Sequence, residues 1–268
     1  MTDEPTLPSS RLRREPPAFR RVATSDAASI GPRLRRVTLR GAALEGFPVP
    51  LPAASVRLLL PPPGADELVV PTWNGNEFRL PDGRRPILRT FTPRRTDPEA
   101  GELDVDVVLH GGGVASEWAA TAAPGAPVAV SGPGRGYTVD PAVRGYVLIG
   151  DETAIPAIAQ LLEAIPATAT VRVHVEVAAP EGRVALPDHP GATVTWHDLH
   201  DPTDPGAAMV AAAREISLDD DDRIWVAGEA ASVQRIRRHL FEDRRIPRAR
   251  ATVRGYWKRG RPGGGDDA

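Results

Sequence analysis

Arg89-Thr90-Phe91-Thr92-Pro93-Arg94-Arg95 closes a strand-like run with a guanidinium, an aromatic ring and a hydroxyl in close succession. A guanidinium pairs bidentately with phosphate. An aromatic two residues further lies on the same strand face and can stack on a flat ring, and the next hydroxyl can donate to a heteroatom of that ring. Taken alone, the run is better read as an edge strand with solvated arginines, ended by Pro93. Val108-Leu109-His110-Gly111-Gly112-Gly113-Val114-Ala115-Ser116-Glu117-Trp118 is a strand, a triple glycine and a helix start. Glycines let backbone N–H groups approach an anion, and a helix N-terminus adds positive potential. A pyrophosphate cradle and a flexible turn capped by Ser116 are equally good readings.

Gly150-Asp151-Glu152-Thr153-Ala154-Ile155-Pro156-Ala157 also opens a helix, with Thr153 as N-cap and Pro156 in the first turn. The glycine fingerprint G-x-G-x-x-G of a classical dehydrogenase is missing here. Its two carboxylates repel a pyrophosphate and fit better beside an amide-bearing ring or a ribose. Gly228-Glu229 ends another strand, and Arg254-Gly255-Tyr256-Trp257-Lys258-Arg259-Gly260 sets an aromatic pair beside basic residues. Such a surface suits flat anionic ligands, although a final strand anchored by Trp257 is the plainer reading. His197-Asp198-Leu199-His200-Asp201 carries ligand-type side chains on a polar strand exit without a regular scaffold, so no metal site is expected there.

Two kinds of element must position these residues. From Phe19 to about Asp140, short β-rich runs alternate with Pro/Gly punctuation: Phe19–Thr24, Leu34–Arg40, Ser55–Leu60, Leu68–Val70, Ile87–Arg94, Glu102–His110 and Pro127–Ser131. One helix, Val114–Thr121, interrupts them. This spacing predicts an antiparallel barrel or sandwich. After Val143 strands alternate with helices: strand Tyr146–Ile149, helix Thr153–Ile165, strands Thr170–Val177 and Thr193–Trp196, helix Gly206–Ile216, strand Arg223–Ala227, helix Ala230–Phe241 and strand Ala251–Trp257. That rhythm predicts a parallel sheet, whose ligands bind beyond the strand carboxyl ends. The fold class is thus a two-domain α/β chain: an antiparallel β-barrel over 18–142 and a parallel-sheet domain over 143–261. Residues 1–17 and 262–268 read as a disordered lead-in and tail.

Composition narrows the chemistry. The 268 residues hold 33 Lys+Arg against 35 Asp+Glu, a formal charge of −2, which speaks against a dedicated nucleic-acid protein. Only Lys258 is lysine. With no cysteine, thiol nucleophiles, disulfides and thiolate-held metals are excluded. No apolar run approaches the ~18–20 residues of a membrane span. Without a visible secretory signal, the expected compartment is the cytoplasm. Redox chemistry here requires a bound cofactor.

In this order, the pieces resemble the siderophore-interacting protein family, FAD-dependent ferric-siderophore reductases of the ferredoxin-reductase-like superfamily. The resemblance runs from about Phe19 to Arg261 and is carried by His110-Gly111-x-Gly113-x-Ala115-Ser116 with Trp118, by Gly150-Asp151-Glu152-Thr153-Ala154-x-Pro156-Ala157 and by Gly255-Tyr256-Trp257-x-x-Gly260. It implies that Arg89, Thr90, Phe91 and Thr92 hold the flavin phosphate and isoalloxazine. Val108, His110, Gly113, Val114, Ala115 and Ser116 would surround the FAD pyrophosphate. Gly150, Asp151, Glu152, Thr153, Ala154, Gly228 and Glu229 would form the nicotinamide-facing edge for NADH or NADPH.

The resemblance further implies an anionic ferric siderophore drawn to Arg57, Arg254, Lys258 and Arg259. Flavin would convert a two-electron donor into the one-electron steps Fe(III) needs. Phe91 stands where the family has Tyr, and Val114 where it has Pro, which lowers the expected grip on FAD by ~1 kcal/mol at most for the lost hydroxyl. Two other readings keep the same motifs: a flavin-dependent NAD(P)H oxidoreductase whose acceptor is a quinone, free flavin or protein, and a non-catalytic siderophore-binding carrier. A protein electron donor also stays open. Glu176 suits a ribose hydroxyl and Arg183 a 2′-phosphate.

Overall fold

The computed structural model describes residues 16–65 and 67–260; most of the expected lead-in and the expected tail lie outside them. The first half holds β1 (Arg20–Gly31), β2 (Leu34–Arg40), β3 (Val56–Leu60), the short β4 (Thr72–Trp73) and β5 (Phe78–Arg79), β6 (Ile87–Phe91), β7 (Pro93–Asp97), β8 (Glu102–Val108), helix α1 (Val114–Thr121) and β9 (Pro127–Ser131). Seven of these strands form one antiparallel sheet in the order β6-β3-β9-β1-β2-β8-β7. Its two outer strands are consecutive in the chain and joined by the buried Thr92, so the sheet curls round until its edges meet, as a barrel does. The inward faces of β2 and β8 alternate as the sequence does, with Val37, Leu39, Leu103, Val105 and Val107 buried around Leu44, Phe47 and Leu58.

The second half holds β10 (Gly145–Asp151), α2 (Ile155–Ala164), β11 (Thr170–Val177), β12 (Ala192–Asp198), α3 (Ala207–Glu215), β13 (Arg223–Glu229), α4 (Ala230–Arg238) and β14 (Ala251–Trp257). All pairs in its sheet are parallel, in the order β12-β11-β10-β13-β14. The first strand, β10, sits centrally and is buried along its length, which explains its unbroken apolar run. Helix α2 covers one face through Ile155, Ile158, Leu161 and Leu162, while α3 and α4 cover the other through Met209, Val210, Val233 and Ile236. Strand order reverses direction between β10 and β13, which makes that crevice the place for a ligand.

Several local expectations differ from the structure. β1 extends seven residues past Thr24, because the polar stretch Ser25–Gly31 is held by backbone pairing with β2 and shows no apolar alternation. Leu68–Val70 forms no strand: Leu68 and Val70 instead pack on Leu59, Ala129 and Phe19. The run Ile87–Arg94 is two strands, broken at Thr92. The β4–β5 hairpin carries Trp73 and Phe78 in edge-to-face contact at 5.1 Å, and Asn74 and Gly75 turn it.

Candidate functional site

The site lies where the carboxyl ends of β10, β13 and β14 meet the end of β6. Asp151 ends β10 and is 8 % exposed. Its Oδ1 accepts from the backbone N–H (2.9 Å) and hydroxyl (2.5 Å) of Thr153, and its Oδ2 from the Glu229 N–H (2.9 Å) and the Trp257 indole N–H (2.8 Å). Every donor is neutral. Burial pushes the carboxyl up to about 6 against the opposing pull of these hydrogen bonds. Gly228 lets β13 pass this close: at its φ of 154°, a Cβ would stand 2.6 Å from Asp151 Oδ2. A Cβ on Gly150 would stand 2.5 Å from that of Ala154, so this turn too depends on glycine.

Glu229 caps α4 by accepting from the Ser232 N–H at 2.9 Å, and its other oxygen accepts from the Arg259 N–H at 3.3 Å. Glu152, next to Asp151, turns elsewhere. It binds the Arg33 guanidinium bidentately at 2.8 and 3.0 Å and accepts from the Ala178 N–H at 3.0 Å. Glu176 accepts from Gly206 and Ala208 at the start of α3, at 2.5 and 2.8 Å, and Arg183 pairs with Asp198. Both oxygens of Glu176 are therefore engaged in capping, which argues against its reading as a ribose acceptor.

On the barrel side, Arg89 is half-buried and donates to the carbonyl of Leu88 at 2.8 Å, with no carboxylate beside it among the described residues, and burial holds its guanidinium below the ordinary arginine range. A cation desolvated without an acid is a group awaiting an anion. Register places Arg89 and Phe91 on one face of β6 with Leu58 and Val56, and Thr90 opposite Arg57 on the other. Thr92 lies beside Tyr256, whose phenol is raised by burial and pulled back by the Thr92 side chain. Segments 164 positions apart in the sequence thus meet at the residues expected to face the cofactor.

The glycine loop follows β8, whose last residue, Val108, packs against the core of the parallel sheet. Gly111 (φ 74°) and Gly113 (φ 80°) adopt left-handed backbone, and open space surrounds Gly111 and Gly112. The His110 N–H donates to Ser116 Oγ at 3.2 Å, which ties the loop to the first turn of α1, where Val114 and Ala115 also sit. A glycine loop where an added Cβ at Gly111 or Gly112 meets open space, together with a half-buried guanidinium that has no acid beside it among the described residues, fits a diphosphate-bearing cofactor.

Of the basic residues, Arg254 donates to the carbonyls of Ala53, Arg135 and Gly136 at 3.0–3.1 Å, and Arg259 donates to that of Thr203. Lys258 is exposed and makes no ion pair among the described residues. His197 stacks on His174 with ring centroids 5.4 Å apart, and no group of three metal-ligating side chains converges among the described residues. Sequence reasoning missed Arg33 and Gln160, which bridges the domains by accepting from Ala53 N–H and donating to the Pro93 carbonyl. Neither carries a local signal. Tyr256 and Trp257 were visible as an aromatic pair, but their partners Thr92 and Asp151 were not.

Residues 23–137 match the model of the siderophore-interacting FAD-binding domain, and residues 143–260 match that of the siderophore-interacting protein. An uncharacterised protein of Mycobacterium tuberculosis is 36% identical over 91% of this chain and 90% of its own. The ferric vibriobactin reductase ViuB of Vibrio cholerae is 30% identical over 85% of each chain. Among solved structures, a siderophore utilization protein from T. fusca is 34% identical with a TM-score of 0.81, covering 92% of this chain and 95% of that one. The siderophore-interacting protein SipS from Aeromonas hydrophila is 33% identical with a TM-score of 0.77 over 91% and 93%. The ferredoxin reductase of carbazole 1,9a-dioxygenase, at 16% identity and a TM-score of 0.65, shares the fold. With both halves of one architecture matched in order and relatives aligned over nearly their full length, the chain belongs to the siderophore-interacting protein family.

Proposed function

We propose that the protein is an FAD-dependent oxidoreductase that draws electrons from NADH or NADPH and reduces the iron of a ferric siderophore, releasing Fe(II). The observation that carries this reading is the meeting of Thr92 with Tyr256, which brings the expected flavin strand against the carboxyl edge of the parallel sheet. Bound flavin supplies the conversion between a hydride and single electrons. The chain's own residues do the rest. Arg89 and the amides of the 110–116 loop bind the diphosphate, and Phe91 offers a face for the ring. The crevice between β10 and β13 receives the pyridine nucleotide. The barrel over 18–142 takes the first role and the parallel sheet over 143–261 the second.

The relative named ferric vibriobactin reductase supports iron bound by a siderophore as the acceptor. Iron(II) carries less charge and is softer than iron(III), so hard oxygen ligands release it more readily. An anionic complex is drawn to the exposed Lys258 and to the half-buried Arg57 of β3. No helix is long and apolar enough to cross a membrane among the described residues, which fits the cytoplasm, where a reduced pyridine nucleotide is at hand.

The test is a visible spectrum of purified protein, followed by anaerobic mixing with NADH or NADPH and then with a ferric siderophore. The expected record is flavin absorbance, its bleaching by the nucleotide, and its return as an Fe(II) chelator colours. A protein that binds no FAD rejects the proposal. A bleached flavin that ferric siderophores fail to reoxidise, while a quinone does, assigns a different acceptor.

A further inference from the structure

Asp151 is a buried carboxylate whose four hydrogen bonds all come from neutral donors: the backbone and hydroxyl of Thr153, the Glu229 N–H and the Trp257 indole. Among the described residues, no arginine or lysine pairs with it, and none pairs through its side chain with its neighbour Glu229, which is 3 % exposed. Three arginines of the neighbouring elements are occupied elsewhere: Arg33 by Glu152, Arg254 by three carbonyls and Arg259 by Thr203. An anion kept out of water without a counter-cation is costly, and such groups are retained where a ligand supplies the missing charge. This one stands at the reversal of strand order, the crevice where a parallel sheet takes its ligand. Beside it the Trp257 ring is 37 % exposed, an aromatic face that also favours a cation.

We propose that Asp151 is the charge partner of the oxidised nicotinamide ring, so that this site holds the cationic form of the nucleotide more tightly than the neutral, reduced form. The proposal rests on the pyridine-nucleotide reading given above. Reduced nicotinamide is neutral. When its C4 hydride leaves with both bonding electrons for the flavin, the ring becomes a cation, and a fixed carboxylate nearby favours that change. Asp151 is a positioning residue here: it acts on the ring through its field while its oxygens stay engaged with the four donors.

The groups facing Asp151 bear on how its charge responds to pH. They are Glu152 on its own turn, neutralised by Arg33; Glu229 at the end of β13; and Tyr256 and Trp257 at the end of β14, with Arg254 behind Tyr256. The carboxyl, raised to about 6 by burial, is ionised at pH 7.5 and largely neutral at pH 5. The preference for the oxidised ring therefore vanishes on acidification.

The test measures binding of NAD⁺, of 1,4,5,6-tetrahydro-NAD (a neutral reduced-ring analogue that donates no hydride to the flavin) and of ADP-ribose, or their 2′-phosphorylated counterparts, to the FAD-loaded protein by calorimetry at pH 7.5 and pH 5. In the wild type, the ratio of oxidised to reduced nucleotide affinity is expected to fall about tenfold between the two pH values, while ADP-ribose, which lacks the ring, changes less than twofold. Asp151→Asn is expected to show the low ratio at both. Because an amide cannot accept from all four donors, the wild-type pH series stands as a measurement free of any folding defect. A ratio indifferent to pH overturns the proposal and leaves the nucleotide reading intact. Failure of all three nucleotides to bind overturns the nucleotide reading and the proposal with it.

Discussion

The guanidinium of Arg33, in the turn between β1 and β2, grips both oxygens of Glu152 at the end of β10, 119 positions away, across the seam between barrel and parallel sheet. The Glu152 side chain is 10 % exposed and that of Arg33 27 %. Removing one partner of such a pair leaves a desolvated charge, which is more damaging than the pair itself is stabilising. Arg33→Ala is expected to lower stability by about 1–3 kcal/mol, discounted for the partial exposure of the arginine. Urea unfolding followed by fluorescence checks this, and an unchanged midpoint would show that the bridge contributes nothing.

Arg89 offers the opposite case. Its half-buried guanidinium has no acid beside it among the described residues, so the fold holds it at a cost. Arg89→Gln is expected to leave the FAD-free protein as stable as the wild type or slightly more so, while FAD affinity falls about tenfold to a hundredfold, the equivalent of a charged hydrogen bond. Flavin fluorescence titration and a thermal melt of the FAD-free protein read the two effects separately. A melt that drops with FAD affinity unchanged would make Arg89 a purely structural residue.

Asp151 ties stability to pH with a definite sign. Its folded value of about 6 lies above the ordinary 3.8, so the fold favours the neutral acid. That contribution is full below about pH 4 and is lost as pH rises through about 6. At about 1.4 kcal/mol per unit, the loss is on the order of 3 kcal/mol. The stability difference between wild type and Asp151→Asn should therefore shift against the wild type by that amount from pH 4 to pH 7. Other titrations cancel in the difference. A flat difference would place the Asp151 value near that of a solvated carboxyl.

Lys258 is exposed beside the aromatic pair of β14. Lys258→Ala is expected to reduce kcat/KM for an anionic ferric siderophore about threefold to tenfold at low salt and to make the remaining rate less sensitive to ionic strength. Steady-state rates across a salt series decide it; equal rates for both proteins at every salt concentration would remove Lys258 from the docking surface.

The regular skeleton was readable from the chain because its signals are local. The alternation Leu103, Val105, Val107 makes β8, and the stripe Ile155, Ile158, Leu161, Leu162 makes α2, each buried as its period requires. The motif residues were also readable, since glycines and aromatics mark them. Their partners were not. Nothing near Glu152 in sequence points to Arg33, and Arg254, set in a basic segment that suits an anion, turns out to bind carbonyls. A hydrogen bond between distant segments leaves no periodic trace, and in a chain with 33 basic residues, one arginine looks like another.

That grip of Arg254 on Ala53 spans 201 positions, and its other two carbonyls come from residues 135 and 136. During synthesis the first half therefore leaves the ribosome well before the strand that fastens it. Until β14 is made, these carbonyls wait for their cation, while the seam contacts of Arg33 with Glu152 and of Gln160 with Ala53 and Pro93 already have both partners.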